Sequence, residues 1–342
     1  MATFSKRKSG WWQARIRRDG HPALSKTFET KAAAEAWTRA VESDMDKGAY
    51  RSTVVAESTT FSEIADRFEH EFAPHHYRGQ GWKHKLAHLR AAFGDYFLAA
   101  ITPARVAAYR DDRLRAADPR YKKDPTSAPR LSPATVKTEI DLLSKVLDVA
   151  SKEFGIPLPA GNPVASIRKP AGGKARDRRL TVTEWGRLMD ECGKSGNNWL
   201  KPAVLLSVET AMRQGELLGI EWKAVDFPHR LIMLSSTKNG EARAVPLSSA
   251  AVAILEGLPR SLRGRAIPQG KATIYSAFKR AAGRAGIGGY TWHDLRHEAL
   301  SRLAERGDLS LLEMAAMSGH KTLQMLKRYT HLRAENLAKK LG

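Results

Sequence analysis

Along the middle of the chain, apolar residues recur three and four positions apart, the period of a helix that buries one face. Phe61, Ile64, Phe68 and Phe72 make one such stripe and predict a helix over residues 61–72. Trp82, Leu86, Leu89 and Phe93 make a second. Thr102-Pro103, a capping residue with proline at the first helical position, opens a third that carries Val106, Tyr109 and Leu114. Ser132-Pro133 opens a fourth with Val136, Ile140, Leu143, Leu147, Ala150 and Phe154. Residues 58–157 therefore read as a four-helix bundle.

The period differs on both sides of this bundle. From Gly10 to Arg18, aromatic or apolar residues alternate with basic ones, Asp19-Gly20 signals a tight turn, and residues 24–28 read as the returning strand. Thr30 caps a helix with Ala34, Trp37 and Val41 on one face. Residues 1–57 are thus a small sheet with one helix packed on it, and residues 48–60 read as a linker. The exposed strand edges are expected to carry Arg15, Arg17, Arg18 and Lys26. Beyond the bundle, Pro157, Pro159, Gly161 and Pro163 break the helical pattern and mark residues 158–180 as a connector. Residues 181–342 read as mainly helical, with a first helix capped by Thr183 and others over 199–211, 273–284, 292–306, 311–318 and 323–329. Two strands, 231–234 and 242–247, join around Asn239-Gly240, and Ser248 caps the helix after them. The fold class is multidomain and mainly α, with two small β-sheets.

Charge narrows what such a protein meets. The 342 residues carry a formal net charge of +21, which points to a polyanionic partner, foremost nucleic acid. The excess is uneven. Arg110, Arg113, Lys122 and Lys123 crowd the third bundle helix and the long loop after it, and Arg176, Arg178 and Arg179 crowd the connector. These residues are candidate DNA contacts, and a basic connector between two basic domains suggests a clamp around a duplex. Cys192 is the only cysteine, so no intramolecular disulfide forms. With no secretory signal and no apolar run long enough to span a membrane, the expectation is a cytoplasmic protein. His84 and His88 stand at helical i, i+4 spacing, but no cysteine or carboxylate completes a metal set.

The candidate chemistry lies between residues 210 and 330. Arg213 and Arg296 suit a phosphate, because guanidinium forks match its oxygens. Lys238, at a hairpin tip, could protonate a leaving oxygen, and Glu216 could orient Arg213. His293 shares a helical face with Arg296, and His320 follows Gly319 where a helix ends. Tyr329 becomes a useful nucleophile only where the charge of its phosphodiester target is neutralised. Each piece alone has an ordinary reading: a surface ion pair, a turn, a capped helix start, one of eight tyrosines. Together and in order they describe metal-free phosphodiester cleavage.

That ordered set resembles the signature of the tyrosine recombinases, the phage integrase family: Arg, Lys, His-x-x-Arg, His or Trp, then Tyr. It falls on Arg213, Lys238, His293, Arg296, His320 and Tyr329, with the accessory acidic position at Glu216. Met317-Ser318-Gly319-His320 and Arg328-Tyr329-Thr330-His331 match the family's wording. Ala211 departs from it, since glycine often stands there, and the departure is expected to be harmless. The resemblance implies an arm-type DNA-binding module, a SAM-like core-binding domain and a catalytic domain of the DNA breaking-rejoining fold. It also implies strand exchange through a 3′-phosphotyrosine without metal, ATP or cofactor, by a homo-tetramer on double-stranded DNA. Partners implied are an excisionase and a DNA-bending host factor, and residues 336–341 are a candidate segment for exchange between neighbours. Glu-Thr-Ala-Met-Arg-Gln-Gly-Glu also resembles shufflon-type invertases, whereas the amino-terminal module favours an integrase. A type IB topoisomerase and a catalytically silent DNA-binding regulator are the rival readings.

Overall fold

The computed structural model describes residues 2–21, 23–47, 54–121, 127–158, 160–173, 178–234, 242–260 and 264–329. Contacts divide the chain into two units, Met1–Lys174 and Ala175–Gly342. The expected sites at Lys122, Lys123, Arg176 and Lys238, and the segment 336–341, lie outside the described residues.

The first unit opens with an antiparallel sheet of β1 (Ala2–Lys6), β2 (Trp12–Ile16) and β3 (Leu24–Phe28) in that order. The strand β1 is absent from the sequence reading, because a polar stretch at a terminus carries little period. Its presence corrects the placing of Arg15. β2 is central, with Ala2 opposite Ile16 and Trp12 opposite Phe28, so Arg15 lies on the exposed face of the middle strand and only Lys26 on an edge strand. Helix α1 (Lys31–Asp46) is capped by Thr30, as expected, and lays Trp37, Val41 and Met45 over Ile16 and Leu24. Part of the expected linker is helical, as α2 (Val54–Ser58), and buries Ala56.

The bundle follows its apolar stripes. α3 (Phe61–Arg67) begins with a reciprocal cap between Thr60 and Glu63 and runs through one wider π-type turn, Phe68–Phe72, into α4 (Ala73–His76). α5 (Gly81–Phe93), α6 (Pro103–Arg115) and α7 (Pro133–Lys152) complete it, the last two capped by Thr102 and Ser132. The stripe residues of the four predicted helices form one core.

The second unit contains α8 (Val182–Gly193), α9 (Leu200–Thr210), α10 (Gln214–Leu217), the strands β4 (Val225–Asp226), β5 (Leu231–Leu234) and β6 (Arg243–Pro246), then α11 (Ser249–Glu256), α12 (Lys271–Arg284), α13 (Trp292–Arg306) and α14 (Leu311–Ser318). The cap of α8 is Thr181 rather than Thr183: Glu184 and Thr181 bond each other's backbone N–H, a pairing the Thr-x-x-Glu spacing offers only from position 181. The expected last helix is two short 3₁₀ turns, Leu323–Met325 and Lys327–Tyr329.

Two apolar clusters fill this unit, and α13 belongs to both. Trp292 and Leu295 sit in the larger, Ala299, Leu300 and Leu303 in the smaller. Arg296 lies on the same helix at the seam between them, 3% exposed. The smaller cluster also buries Tyr329 and brings the last described turn, Lys327–Tyr329, against α13.

Candidate active site

Three helix ends converge at that seam. α9 stops at Ala211, which takes a left-handed conformation with φ 52°. In a non-glycine residue that conformation costs roughly 1–2 kcal/mol, so the departure from glycine seen in the sequence carries an energetic cost. The turn aims the Ala211 carbonyl at Arg296, whose Nη1 donates to it at 2.6 Å. α14 stops at Gly319, φ 68°, leaving helix-end carbonyls without helical partners. Arg296 Nη2 donates to the Ser318 carbonyl at 2.7 Å and Arg213 Nη2 to the Gly319 carbonyl at 3.0 Å. Backbone oxygens at two helix ends thus fix both guanidinium groups. The third end is the start of α13, where Thr291 and Asp294 cap each other and orient His293 in the first turn.

Glu216 meets Arg213 and a second arginine. It accepts from Arg213 Nη1 at 2.9 Å and from the Arg213 backbone at 3.0 Å. It also accepts from Arg243 Nη2 at 2.9 Å. Arg243 is a residue the sequence reading passed over. It stands on β6, paired with Leu234 on β5, so it ties that strand to Glu216 and through it to Arg213. Among the described residues, Arg243 Nε and Nη1 are buried without a hydrogen-bond partner.

The arrangement is over-supplied with positive charge. Arg213 and Arg243 divide one carboxylate, and the hydrogen bonds of Arg296 go to carbonyls and His320. Burial, with Arg213 adding to it, lowers the Arg296 pKa to about 10. Burial drives the Glu216 carboxyl up, but the bonds from Arg213 and the nearby Arg243 charge outweigh it and leave the pKa lowered. A site that disfavours its own cation is one an anion would relieve.

The histidines are held neutral. Burial, then Arg296 and Arg213, bring the pKa of His320 to about 4; burial and Arg296 also lower that of His293. The Ser318 hydroxyl donates to the Met314 carbonyl at 2.6 Å, so the 2.7 Å contact between Ser318 and His320 Nδ1 needs the proton on Nδ1. His320 Nε2 is then bare and accepts from Arg296 Nη2 at 3.3 Å.

Tyr329 is 3% exposed, and its Oη lies 2.6 Å from Nδ1 of His297. His297 is the second residue the sequence reading passed over. It was visible as the last member of His-Asp-Leu-Arg-His, one helical turn beyond His293. The two imidazoles pack edge to face at 4.8 Å.

Arg213, His293, Arg296, His297, His320 and Tyr329 line one cavity of about 660 Å³. A second, of about 930 Å³, shares Arg213, His293 and Arg296 with it and extends past Gln214, Lys271 and Tyr275. The structure therefore gathers every described member of the sequence-predicted set at one place.

The expected DNA contacts divide. Arg15, Arg17 and Lys26 are exposed, while Arg18 pairs with Asp46 at 2.5 Å. Arg110 bonds Asp111 and the Arg168 carbonyl. Arg113 grips the buried Glu139 through Nε and Nη2 at 2.8 and 2.7 Å, with Tyr109 donating to the same carboxylate. Arg178 pairs with Glu184, and Arg179 with Glu298 and Glu305.

A model described as "Phage integrase family" matches residues 178–336. The "Shufflon-specific DNA recombinase" of Escherichia coli is 42% identical over 241 residues, 70% of this chain and 60% of that protein. A "Putative integrase/recombinase" of Haemophilus influenzae is 28% identical over 100% of this chain and 91% of its own. Among solved structures, a lambda integrase dimer bound to a COC′ core site superposes with TM-score 0.62 at 23% identity, covering 97% of this chain and 95% of that one. A lambda integrase tetramer bound to a Holliday junction gives TM-score 0.59 at 22% identity, covering 93% and 95%. At these identities the likeness concerns the fold, and it agrees with the mainly α, multidomain architecture read from the sequence.

Proposed function

The chain belongs to the phage integrase family, and on that premise we propose that it is a site-specific DNA recombinase acting through a 3′-phosphotyrosine at Tyr329. The supporting observation is the single cavity into which Arg213, Arg296, His293, His320 and Tyr329 all face. Arg213 and Arg296 hold the non-bridging oxygens of the scissile phosphate and neutralise its charge. Tyr329 attacks phosphorus in line, and Lys238 protonates the departing 5′ oxygen. The phosphotyrosine ester keeps the bond energy for rejoining, so the reading assigns no step to a metal, ATP or another cofactor.

Double-stranded DNA is the substrate, and four copies act together on two sites. The structural neighbours are lambda integrase as a dimer on a core site and as a tetramer on a Holliday junction. Arg15, Arg17 and Lys26, exposed on the amino-terminal module, are the arm-type contacts we favour. Arg113, Arg178 and Arg179 we assign to structural ion pairs instead. An excisionase and a DNA-bending host factor belong to the same reading, with integration and excision of a mobile element as its outcome. Among the described residues no helix is long and apolar enough to cross a membrane.

Inversion of a DNA segment is the second reading, favoured by the 42% identity to the shufflon recombinase. The chain spans 60% of that protein's length. A chain lacking residues 1–57 separates the two. As an integrase it cleaves core sites but no longer integrates between full sites, and unchanged recombination would support the invertase. Efficient relaxation of supercoiled plasmid lacking any recombination site would instead indicate a topoisomerase.

A further inference from the structure

Cleavage by Tyr329 needs a destination for the phenol proton. His293 and His320 are the histidines of the family signature, yet both ring nitrogens of His320 are engaged by other groups. His320 has Nδ1 on the Ser318 hydroxyl and Nε2 on Arg296. His293 lies one turn earlier, edge to face with His297. Among the described residues, the imidazole that meets the Tyr329 oxygen is His297, at 2.6 Å through Nδ1.

We infer that His297 is the proton acceptor for the Tyr329 nucleophile, an inference that rests on Tyr329 being the attacking residue. Three features support it. His297 directly follows Arg296 on α13, so the group taking the proton and the group holding the phosphate share one rigid stretch of helix. The contact length suits a phenol O–H donating to a bare imidazole nitrogen. A base must also be unprotonated to act. Burial disfavours the protonated ring first, and the Arg328 and Arg296 charges add to it against Asp294, with neutral His293 and His320 also facing His297. That charge and burial keep the ring neutral at rest.

The Tyr329 O–H proton passes to His297 Nδ1 while the phenol oxygen bonds phosphorus and the bond from phosphorus to the 5′ oxygen breaks. The 5′ oxygen takes its proton from Lys238. On rejoining, the 5′ hydroxyl returns its proton to Lys238 as its oxygen bonds phosphorus, the bond from phosphorus to the tyrosine oxygen breaks, and His297 returns its proton to that oxygen.

The experiment is single-turnover formation of the covalent adduct on a nicked duplex carrying the crossover sequence from the DNA flanking the gene. His297→Ala is expected to slow the step by about 10²–10⁴-fold, the usual contribution of a positioned base, and added imidazole to restore part of the rate. His297→Asn, which places an acceptor near the Nδ1 position without basicity, stays slow. A duplex with sulfur at the bridging 5′ position, whose leaving group needs no proton, rescues Lys238→Ala but not His297→Ala. Wild-type speed in His297→Asn, indifference of His297→Ala to imidazole, or its rescue by the sulfur substrate would each overturn the inference. A Tyr329→Phe protein that still forms adduct fails differently: it removes the nucleophile assignment, and the inference with it.

Discussion

Gly319→Ala tests how the site is built. The residue sits at φ +68°, and a methyl there would overlap Arg243 Nη1 and lie 2.9 Å from Cζ. The backbone term costs roughly 1–2 kcal/mol for a residue with a β-carbon. Arg243 must also move, and its side chain is only 11% exposed, so solvent does not absorb the shift. Moving it breaks the 2.9 Å bond to Glu216, a charged hydrogen bond whose loss costs about 1.5–3 kcal/mol. The expected destabilisation is therefore about 2.5–5 kcal/mol. Hydrogen exchange of α13 amides measures it for this unit alone. In an Arg243→Ala background the overlap is gone, and Gly319→Ala should cost only the backbone term. Equal losses in both backgrounds, or a loss below about 1 kcal/mol in the wild type, would refute the packing account. Cleavage should fall further than DNA binding, because the Ser318 and Gly319 carbonyls that fix Arg296 and Arg213 shift with the turn.

Arg213→Ala and Arg296→Ala should keep DNA affinity in a filter or mobility assay while adduct formation is lost; equal loss of both would make them ordinary phosphate contacts. Arg113→Ala leaves the buried Glu139 with Tyr109 alone and should destabilise the bundle by about 3–5 kcal/mol; an unchanged bundle with weakened DNA binding would return Arg113 to the DNA interface. For pH, the folded pKa of His297 and of His320 is about 4 against an ordinary 6.5. The unfolded chain then binds more protons in that window, so these residues contribute stability above pH 6.5 that is lost as pH falls toward 4. Urea unfolding across the window should show a shallower decline in the His297→Asn, His320→Asn double variant than in wild type; parallel curves would contradict the neutral-histidine assignment.

Sequence period exposed those elements that bury a whole stripe, and all four bundle helices are of that kind. It missed β1, β4 and α2, which span two to five residues and offer too few positions for a period to register. In the site, most of the side chains proposed to carry the chemistry are visible in the sequence; His297 is the exception. The parts that hold them were hidden. The carbonyls of Ala211, Ser318 and Gly319 look like any other backbone until the helix ends are placed, and Arg243 is one basic residue among many until β6 aims it at Glu216. Surface charge misled in the opposite way. Arg113 and Arg179 read as free cations, but their carboxylates are 26 and 119 residues distant, and no local pattern joins them.

The central claim is covalent attack by Tyr329, and trapping on a nicked duplex tests it most directly. Wild-type protein should form a denaturation-resistant adduct, with the 3′ phosphate joined to the peptide that contains residue 329, and Tyr329→Phe should form none. No adduct with wild type on its own site, or an adduct that survives Tyr329→Phe, would contradict the account.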